Sequence, residues 1–272
     1  MNKLSVVIIT LNAEPHLEGC IKSIESIADE IVVLDSLSTD RTREISLAFK
    51  VQFSQRKPVS LIDQMRFAVD SASNNWVFCI DQDERATPGL VNEIGALKKT
   101  GFTSDGYLIN RLNFYINDWF KACGWYPDWK LRLFNRTKGS WGGNEPHYKI
   151  FLNEGTKINR LSSHLLHYSY KDISTQIQKM EQFSLFFAKD RLHKGKHAFL
   201  RFRIVFDPVY RFIRAFFFEG GIRYGMRGFI CSWIHAFYVF SKYAKIWEGL
   251  QYQCCKCKII HPVRLKDLQN IS

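Results

Sequence analysis

Short apolar runs alternate with amphipathic stretches over the first hundred residues of this chain. The runs have the length and β-branched content of strands, whereas the stretches between them repeat apolar positions at helical spacing. The predicted strands are Ser5–Leu11, Glu30–Asp35, Val51–Ser54 and Trp76–Asp81. The predicted helices are Leu17–Ile27, Arg41–Phe49, Leu61–Ser71 and Leu90–Lys99. This order predicts an α/β fold in which helices cover both faces of a mostly parallel sheet.

The pattern becomes less regular after residue 100. Further strands are predicted at Gly106–Leu112, Lys130–Asn135 and Leu165–Tyr170. A long irregular region rich in Trp, Gly and Asn separates them, and such a segment in a compact domain is typically functional.

A helical region follows from residue 173. One helix is predicted from Ile173 to a stop at Gly195. Asp207 and Pro208 predict the N-cap and the first residue of a second helix, and a last helix carries the aromatic residues of Trp233–Trp247. We therefore expect a catalytic domain, an amphipathic helical subdomain and a flexible tail. Their predicted ranges are residues 1–171, 172–250 and 251–272.

Composition limits the functional classes to which this chain can belong. With 272 residues and 46% hydrophobic content the chain can bury a core, which excludes wholesale disorder. The formal charge of +12 indicates an anionic partner: nucleic acid, a membrane surface or a phosphorylated substrate. Seven cysteines without a spaced framework or secretory signal predict reduced cytosolic thiols. No segment reaches the roughly 20 apolar residues of a spanning helix, so we expect no transmembrane helix and leave surface attachment open.

Acidic side chains crowd the end of the fourth predicted strand, at Asp81, Asp83 and Glu84. Neighbouring carboxylates repel one another, and a divalent cation that also holds a phosphorylated ligand would compensate them. A solvated acidic turn is the alternative for a motif this short. Polar residues also follow the first two strands, and ligands of open parallel sheets bind beyond such strand ends. These residues are Thr10, Asn12, Glu14, Asp35, Ser36 and Asp40.

The ordered motifs resemble those of family 2 glycosyltransferases. They are Ser5–Asn12, Val32–Asp40 and Ile80–Glu84, followed by Tyr126–Phe134 and Leu166–Tyr170, which resemble the branch containing lipopolysaccharide core β-glucosyltransferases. The resemblance covers roughly residues 4–250. It implies a GT-A type nucleotide-sugar fold and inverting transfer of a sugar from a nucleoside diphosphate.

The resemblance also implies roles for individual residues. Asp81 and Asp83 would lie at the ribose and at a Mg²⁺ or Mn²⁺ ion on the diphosphate, and His167 is a candidate third metal ligand. A structural role is the alternative for this lone histidine. The residues implied to contact the nucleotide are Thr10, Asn12, Glu14, Asp35, Asp81 and Arg132.

The catalytic base is less clearly indicated. Displacement at the anomeric carbon needs a group that takes the acceptor hydroxyl's proton. Our candidates are Glu145, then His147, then Asp128; the alternative is that Glu145 and His147 only order a Gly-rich loop. Relatives often carry an acidic residue directly after the histidine, where this chain has Tyr148.

Two further positions depart from the family pattern. Leu37 replaces the usual Gly after the second strand. Arg66 stands where relatives often carry Asn, and we expect its side chain to lie along a helix surface rather than on the diphosphate.

Basic and aromatic residues interleave in the C-terminal third, which suits an anionic membrane interface. The alternative is ordinary packing with a solvated charged face. Cys254, Cys255 and Cys257 lack the second ligand pair of a zinc site, and we interpret them as part of a loose tail.

The leading hypothesis is a metal-dependent transferase that moves a hexose, glucose from UDP-glucose in the first instance, to a lipopolysaccharide core or related envelope glycan. It would act from the cytoplasm, peripherally on the inner face of the plasma membrane, on a lipid-linked acceptor. The alternatives are a polyprenyl-phosphate glycosyltransferase and a non-enzymatic anionic-ligand-binding GT-A scaffold. Nucleic-acid binding is disfavoured, because the acidic strand ends would repel a phosphate backbone.

Overall fold

The structure is a computed structural model that describes residues 2–144, 147–170, 172–195 and 199–254, without the side chains of residues 144, 147, 253 and 254. The described residues form two compact units. The first contains those within 2–114 and 126–169, and the second contains those within 115–125 and 170–254. The domain boundaries expected from the sequence stay a prediction.

The first unit opens with the predicted alternation of strands and helices. Strands β1 to β4 are Leu4–Thr10, Glu30–Asp35, Gln52–Gln55 and Trp76–Asp81. Helices α1 to α4 are Leu17–Ile24, Thr42–Leu47, Leu61–Asp70 and Pro88–Thr100. The four strands are parallel and adjacent in the order β3-β2-β1-β4. The predicted α/β fold is confirmed.

Four more strands extend this sheet. They are β5 (Glu84–Ala86), β6 (Gly106–Tyr115), β8 (Asp128–Asn135) and β11 (Ile158–His167); β7 is the short strand Asp118–Phe120. The order continues from β4 through β8, β6 and β11 to β5. β8 runs antiparallel to both of its neighbours, so the chain inserts one reversed strand beside the parallel set.

The segment that we predicted to be irregular contains a hairpin. Strands β9 (Gly139–Asn144) and β10 (His147–Leu152) pair antiparallel as a separate two-stranded sheet. The prediction was wrong here because Gly-rich β9 lacks the apolar alternation of a strand. Close contact explains one of its glycines: a Cβ at Gly139 would lie 2.4 Å from the Phe151 carbonyl oxygen.

Alternation along the central strands divides the core of this unit into two layers. In β1, Val6 and Ile8 face one layer, together with α1 and α4, while Val7 faces the other, together with Met65 of α3. Side chains of a strand point to opposite faces at every step, so a strand covered on both sides must be apolar throughout. This explains why β1 is a continuous apolar run.

Helices dominate the second unit. They are α5 (Ile173–His193), α6 (Leu200–Ile213) and α7 (Gly225–Cys254), with a π-helical segment at Arg214–Phe218 and a 3₁₀ turn at Gly221–Tyr224. Among the residues that the structure describes, no helix has the length and apolar character needed to cross a bilayer.

The predicted start of the second helix at Asp207 is wrong. α6 begins at Leu200 and carries Pro208 in its interior. Apolar positions before Asp207 continue the helical stripe, with Leu200 buried, so packing outweighs the hydrogen bond that proline removes. The expected tail cysteines lie outside the described residues, apart from the backbone of Cys254 at the end of α7. Four cysteines of the described part, Cys20, Cys79, Cys123 and Cys231, are buried free thiols.

Candidate functional site

Three polar strand ends lie side by side at one edge of the sheet. Thr10 is in register with Asp35 between β1 and β2, and Ile9 is in register with Asp81 between β1 and β4. Parallel strands end together, so the turns that follow them meet at the same edge. The candidate site is built from these turns.

Asp35 organises the turn after β2. Its Oδ1 atom accepts hydrogen bonds from the hydroxyls of Thr10, at 2.8 Å, and Ser38. Its Oδ2 atom accepts from the Ser38 backbone N–H and the Gln55 side-chain amide, each at 2.9 Å. These bonds hold Leu37 at a φ of 66°, a region that disfavours side chains with a Cβ. Asp35 is fully buried, so it shapes the turn, and its nucleotide contact stays a prediction.

Asn12 and Glu14 join the first two turns. Asn12 Oδ1 accepts from the Thr39 N–H at 3.0 Å, and the Glu14 N–H donates to Asp40 Oδ2 at 2.9 Å. Asp40 Oδ1 also accepts from the Thr42 N–H at the start of α2. Burial alone would raise the pKa of Asp40, but its hydrogen bonds from Thr42 and Glu14 outweigh burial and lower the pKa. The two loops are therefore fixed before any ligand binds.

Glu84 is the centre of the acidic turn. It is fully buried, and its Oε2 atom accepts from the Asp81 backbone N–H at 2.9 Å. Its Oε1 atom accepts from Arg132 Nη2 at 2.8 Å and from Arg111 Nη1 at 3.1 Å. Arg132 also binds both oxygens of Asp81. Two arginines from β6 and β8 thus neutralise the carboxylates at the end of β4.

The arginines stay charged despite their burial. Burial would lower the pKa of Arg132, but the carboxylates of Asp81 and Glu84 raise it well above its ordinary value. Burial would also lower the pKa of Arg111, but the carboxylates of Glu84 and Asp128 outweigh burial and raise it. Arg132 Nε is buried without a hydrogen-bond partner among the described residues. The guanidinium therefore keeps one donor that the protein does not use.

Asp128 lies in the same network. Its Oδ2 atom accepts from Arg111 Nε at 2.8 Å and Nη2 at 2.6 Å, and its Oδ1 atom lies 3.1 Å from Lys130 Nζ. Burial would raise the pKa of Asp128, but Arg111 and Lys130 outweigh it and lower the pKa. A carboxylate held in this way is a poor proton acceptor, and the role of Asp128 as a base stays a prediction.

Asp83 and His167 face each other across the β5–β11 pair. Asp83 Oδ2 lies 3.5 Å from His167 Nε2. His167 Nδ1 lies 2.7 Å from Asn113 Oδ1 and 3.0 Å from Ser169 Oγ, and Ser169 donates to the same Asn113 oxygen. Because Asn113 Oδ1 is an acceptor, Nδ1 carries a proton, and the ring is oriented with Nε2 toward Asp83, as in histidines that bind metals.

The expected three-ligand set of Asp81, Asp83 and His167 is only partly assembled. Asp81 is ion-paired with Arg132, and among the described residues no three His, Cys, Asp or Glu side chains form a metal-binding group. Asp83 and His167 alone fit a Mg²⁺ or Mn²⁺ ion that takes its other ligands from a diphosphate and water.

The β9–β10 hairpin carries the other two candidate bases. Glu145 lies outside the described residues, and so does the side chain of His147, the first residue of β10. The next residue, Tyr148, packs on Trp141, with ring centroids 5.9 Å apart. Burial and then the charge of Asp81 raise the pKa of Tyr148. The hairpin therefore lies within electrostatic range of the acidic turn.

Arg66 connects this hairpin to α3. Its Nε atom donates to the Trp141 carbonyl oxygen at 2.7 Å. We expected the side chain to lie along the helix surface, but it bonds to the backbone of β9 instead. It therefore positions the hairpin.

Two residues of the network received no role from the sequence. From the sequence, Arg111 has no assigned role, and Glu84 is indicated only as part of the acidic cluster. Arg111 lies within β6, between the buried residues Asn110 and Leu112. A charged residue in such a strand signals a buried ion pair, but its partners come from other strands.

Comparison with known proteins shows that this chain is similar to glycosyltransferases. The model of the family "Glycosyl transferase family 2" matches residues 5–157. An uncharacterized glycosyltransferase of Rickettsia typhi is 31% identical over 259 residues, which cover 91% of this chain and 88% of the relative. The lipopolysaccharide core biosynthesis glycosyltransferase LpsC of Rhizobium meliloti is 30% identical over 250 residues, which cover 90% and 92%.

The chain also matches parts of solved structures. Glucosyl-3-phosphoglycerate synthase from Mycobacterium tuberculosis, in complex with Mn²⁺, UDP and glucosyl-3-phosphoglycerate, is 27% identical and matches 42% of this chain and 44% of that chain, with a TM-score of 0.34. Residues 1–349 of S. aureus TarS are 15% identical and match 92% of both chains, with a TM-score of 0.46.

Proposed function

We propose that this chain, which belongs to glycosyltransferase family 2, moves a hexose from a UDP-sugar to a cell-envelope glycan. The chain is a glycosyltransferase with a mixed α/β, GT-A type fold. Glucose is the sugar that we propose, with inversion at the anomeric carbon. The acceptor is the lipopolysaccharide core or a related lipid-linked glycan, an assignment supported by the likeness to LpsC over nearly the whole chain.

One observation carries the proposal: the carboxylates at the edge of the sheet are divided between two tasks. Arg111 and Arg132 neutralise Asp81 and Glu84, whereas Asp83 faces a histidine. A carboxylate oxygen and an imidazole nitrogen that lie 3.5 Å apart are a donor pair of the kind that suits Mn²⁺ or Mg²⁺. A divalent cation with a diphosphate would bind to both groups.

The residues have distinct roles in the proposed reaction. Asp83 and His167 hold the divalent cation, and Asn113 fixes the imidazole so that Nε2 is presented. A bound cation supplies neutralisation of the charge that develops on the departing diphosphate. Arg132 holds Asp81 in place through hydrogen bonds to both of its carboxylate oxygens.

The loops after β1 and β2 form the wall of the nucleotide site. Asn12 and Glu14 fix the two loops to each other, and Thr10 and Asp35 hold the second turn from below. Such a wall is formed before binding, so little conformational entropy is lost when the nucleotide binds.

Glu145 is the proposed base, with His147 as the second candidate. Asp128 is disfavoured by its two-bond contact with Arg111. A base on the β9–β10 hairpin would approach the acceptor hydroxyl from a segment that Arg66 holds. The cytoplasmic side of the plasma membrane is the proposed place of the reaction, because UDP-sugars and the growing lipid-linked glycan would meet there.

Ligand-dependent thermal stability tests the proposal. UDP with Mn²⁺ should raise the unfolding temperature of the wild-type protein, and Asp83→Asn should abolish the increase. Asp70→Asn is the matched control, since Asp70 is an exposed aspartate at the end of α3. The proposal is wrong if UDP and Mn²⁺ leave the wild-type unfolding temperature unchanged, or if both variants respond as wild type.

Glu145→Gln tests the base separately. It should retain stabilisation by UDP and Mn²⁺ but lose transfer of glucose to purified lipopolysaccharide core. Near-normal transfer in this variant would remove Glu145 from the mechanism.

A further inference from the structure

Two helices of the second unit expose apolar residues where a water-soluble helix carries polar ones. On α6 and the π-helical segment the spacing places them along one side of the helix. They are Phe202, Val205, Phe206, Val209, Ile213 and Phe217. On α7 they recur at intervals of three, four or seven residues. They are Met226, Phe229, Trp233, Phe237, Phe240 and Trp247. We call these twelve residues together the aromatic face.

The two stripes are one surface. Phe212 of α6 packs on Trp233 and Phe229 of α7, with ring centroids 4.8 Å and 5.7 Å apart. Because Trp233 is still 54% exposed, the contact joins the stripes without burying them. A continuous exposed apolar patch of this kind marks an interaction surface.

Basic residues accompany the aromatic face. Residues 199–252 contain eight arginines and lysines and three acidic residues. One of the three, Glu219, is already paired with Arg211 and Arg214 at 2.9 Å and 2.8 Å. Arg227 and Lys245 are paired with Asp118 and Glu181, whereas Arg201 and Arg223 are exposed and form no ion pair among the described residues. The surface is therefore apolar and cationic, which complements an anionic partner with an apolar interior.

A recess lies at one end of the aromatic face. Its volume is about 460 Å³, and Phe199, Leu200, Phe202, Trp247 and Leu250 supply most of its lining, with Arg201 at its side. Phe202 and Trp247 also belong to the face, so the recess opens from it. An apolar recess beside an arginine suits a hydrocarbon chain that carries a phosphate group.

We propose that the aromatic face docks on an anionic phospholipid bilayer, with its rings at the boundary between headgroups and acyl chains and its arginines on lipid phosphates. A second copy of this chain would bring like charges together, and a nucleic acid would leave the apolar rings uncovered. The inference deepens the proposed function, on which it rests for the place of the reaction.

Vesicle co-sedimentation of the full chain tests the inference. We expect binding to vesicles of phosphatidylglycerol and phosphatidylcholine, little binding to phosphatidylcholine alone, and weakening in high salt. Phe206→Ser and Trp233→Ser should each lower the partition coefficient about tenfold, because each removes an inserted ring. Arg201→Gln should lower it about fivefold.

Matched controls lie on α2 of the first unit. Leu47 is 60% exposed, comparable to the residues of the face, and Arg43 is an exposed arginine. Leu47→Ser and Arg43→Gln should bind vesicles like the wild type. Circular dichroism verifies that every variant is folded, and Val209→Ser replaces any aromatic variant that is not.

Four results would overturn the inference. Either the wild type fails to bind anionic vesicles, or the control variants lose binding together with the face variants. Alternatively, the face variants bind like the wild type, or the protein dimerises without lipid and Trp233→Ser abolishes the dimer. The vesicle assay uses no nucleotide, so its failure is distinct from failure of the proposed function, which is measured by UDP and Mn²⁺ stabilisation without lipid.

Discussion

Replacing Glu84 with glutamine removes the central charge of the ion network at the acidic turn. Three donors converge on the two oxygens of Glu84: the Asp81 N–H at 2.9 Å, Arg132 Nη2 at 2.8 Å and Arg111 Nη1 at 3.1 Å. Glutamine has the same shape, but its NH₂ group must face one of these donors. The variant therefore loses both a charge and at least one hydrogen bond.

The magnitude follows from burial. Glu84 is fully buried and the side chains of Arg111 and Arg132 are 16% and 5% exposed, so water replaces little of the lost interaction. Removing one partner of a buried ion pair costs about 3–5 kcal/mol. Asp81 and Asp128 remain to neutralise the guanidiniums, so we expect the lower end, about 3 kcal/mol of unfolding free energy.

Urea unfolding followed by tryptophan fluorescence measures the effect. With a denaturant dependence of about 2–3 kcal/mol per molar, the midpoint should fall by about 1–1.5 M. Glu18→Gln is the control, because the Glu18–Lys22 pair is exposed and should leave the midpoint unchanged. A Glu84→Gln midpoint equal to that of the wild type would refute the reasoning.

Three further predictions concern single residues. Leu37→Gly should raise the free energy of unfolding by about 1 kcal/mol, because glycine tolerates a φ of 66°; an unchanged urea midpoint contradicts it. Arg66→Met should accelerate hydrogen exchange in β9, since it removes the bond to the Trp141 carbonyl; unchanged exchange contradicts it. Burial and then Arg211 lower the pKa of His235 to about 3, so the unfolded state binds the proton first and stability should fall from pH 6.5 toward 3. His235→Gln should flatten that profile of urea midpoints, and an equal slope contradicts it.

The strands β1 to β4 could be predicted because the sheet environment restricts which side chains each strand can carry. A strand covered by helices on both faces needs apolar side chains on both of its faces, and residues 6–9 of the predicted run Ser5–Leu11 meet this requirement. Helix ends were predicted less accurately. α1 ends at Ile24 rather than Ile27, because fraying at a terminus depends on contacts that the pattern does not contain.

The hairpin and Pro208 could not be predicted for a different reason. Gly139 of β9 is required by the closeness of the Phe151 backbone, and this closeness exists only in the folded chain. Pro208 follows a residue that suits an N-cap, so the local signal was valid. Packing of the upstream residues, such as Leu200, overrode it.

The candidate site divides in the same way. The positions of Asp81, Asp83 and His167 follow from motifs at strand ends, and strand ends of one sheet must meet. The partners Arg111 and Arg132 come from β6 and β8, and the reversed strand β8 places Arg132 beside Asp81. Which carboxylate is neutralised and which faces His167 is thus a property of strand order.

Charge balance at the sheet edge constrains how a nucleotide can bind there. The acidic turn and its ion-paired neighbours contain four carboxylates and three basic side chains. The carboxylates are Asp81, Asp83, Glu84 and Asp128, and the basic side chains are Arg111, Lys130 and Arg132. These seven side chains together carry one negative charge, which disfavours the approach of a diphosphate without a cation. A divalent cation held by Asp83 and His167, whose Oδ2 and Nε2 atoms lie 3.5 Å apart, would reverse the sign of this charge. In the proposed reaction we therefore expect the cation to bind before the nucleotide or together with it.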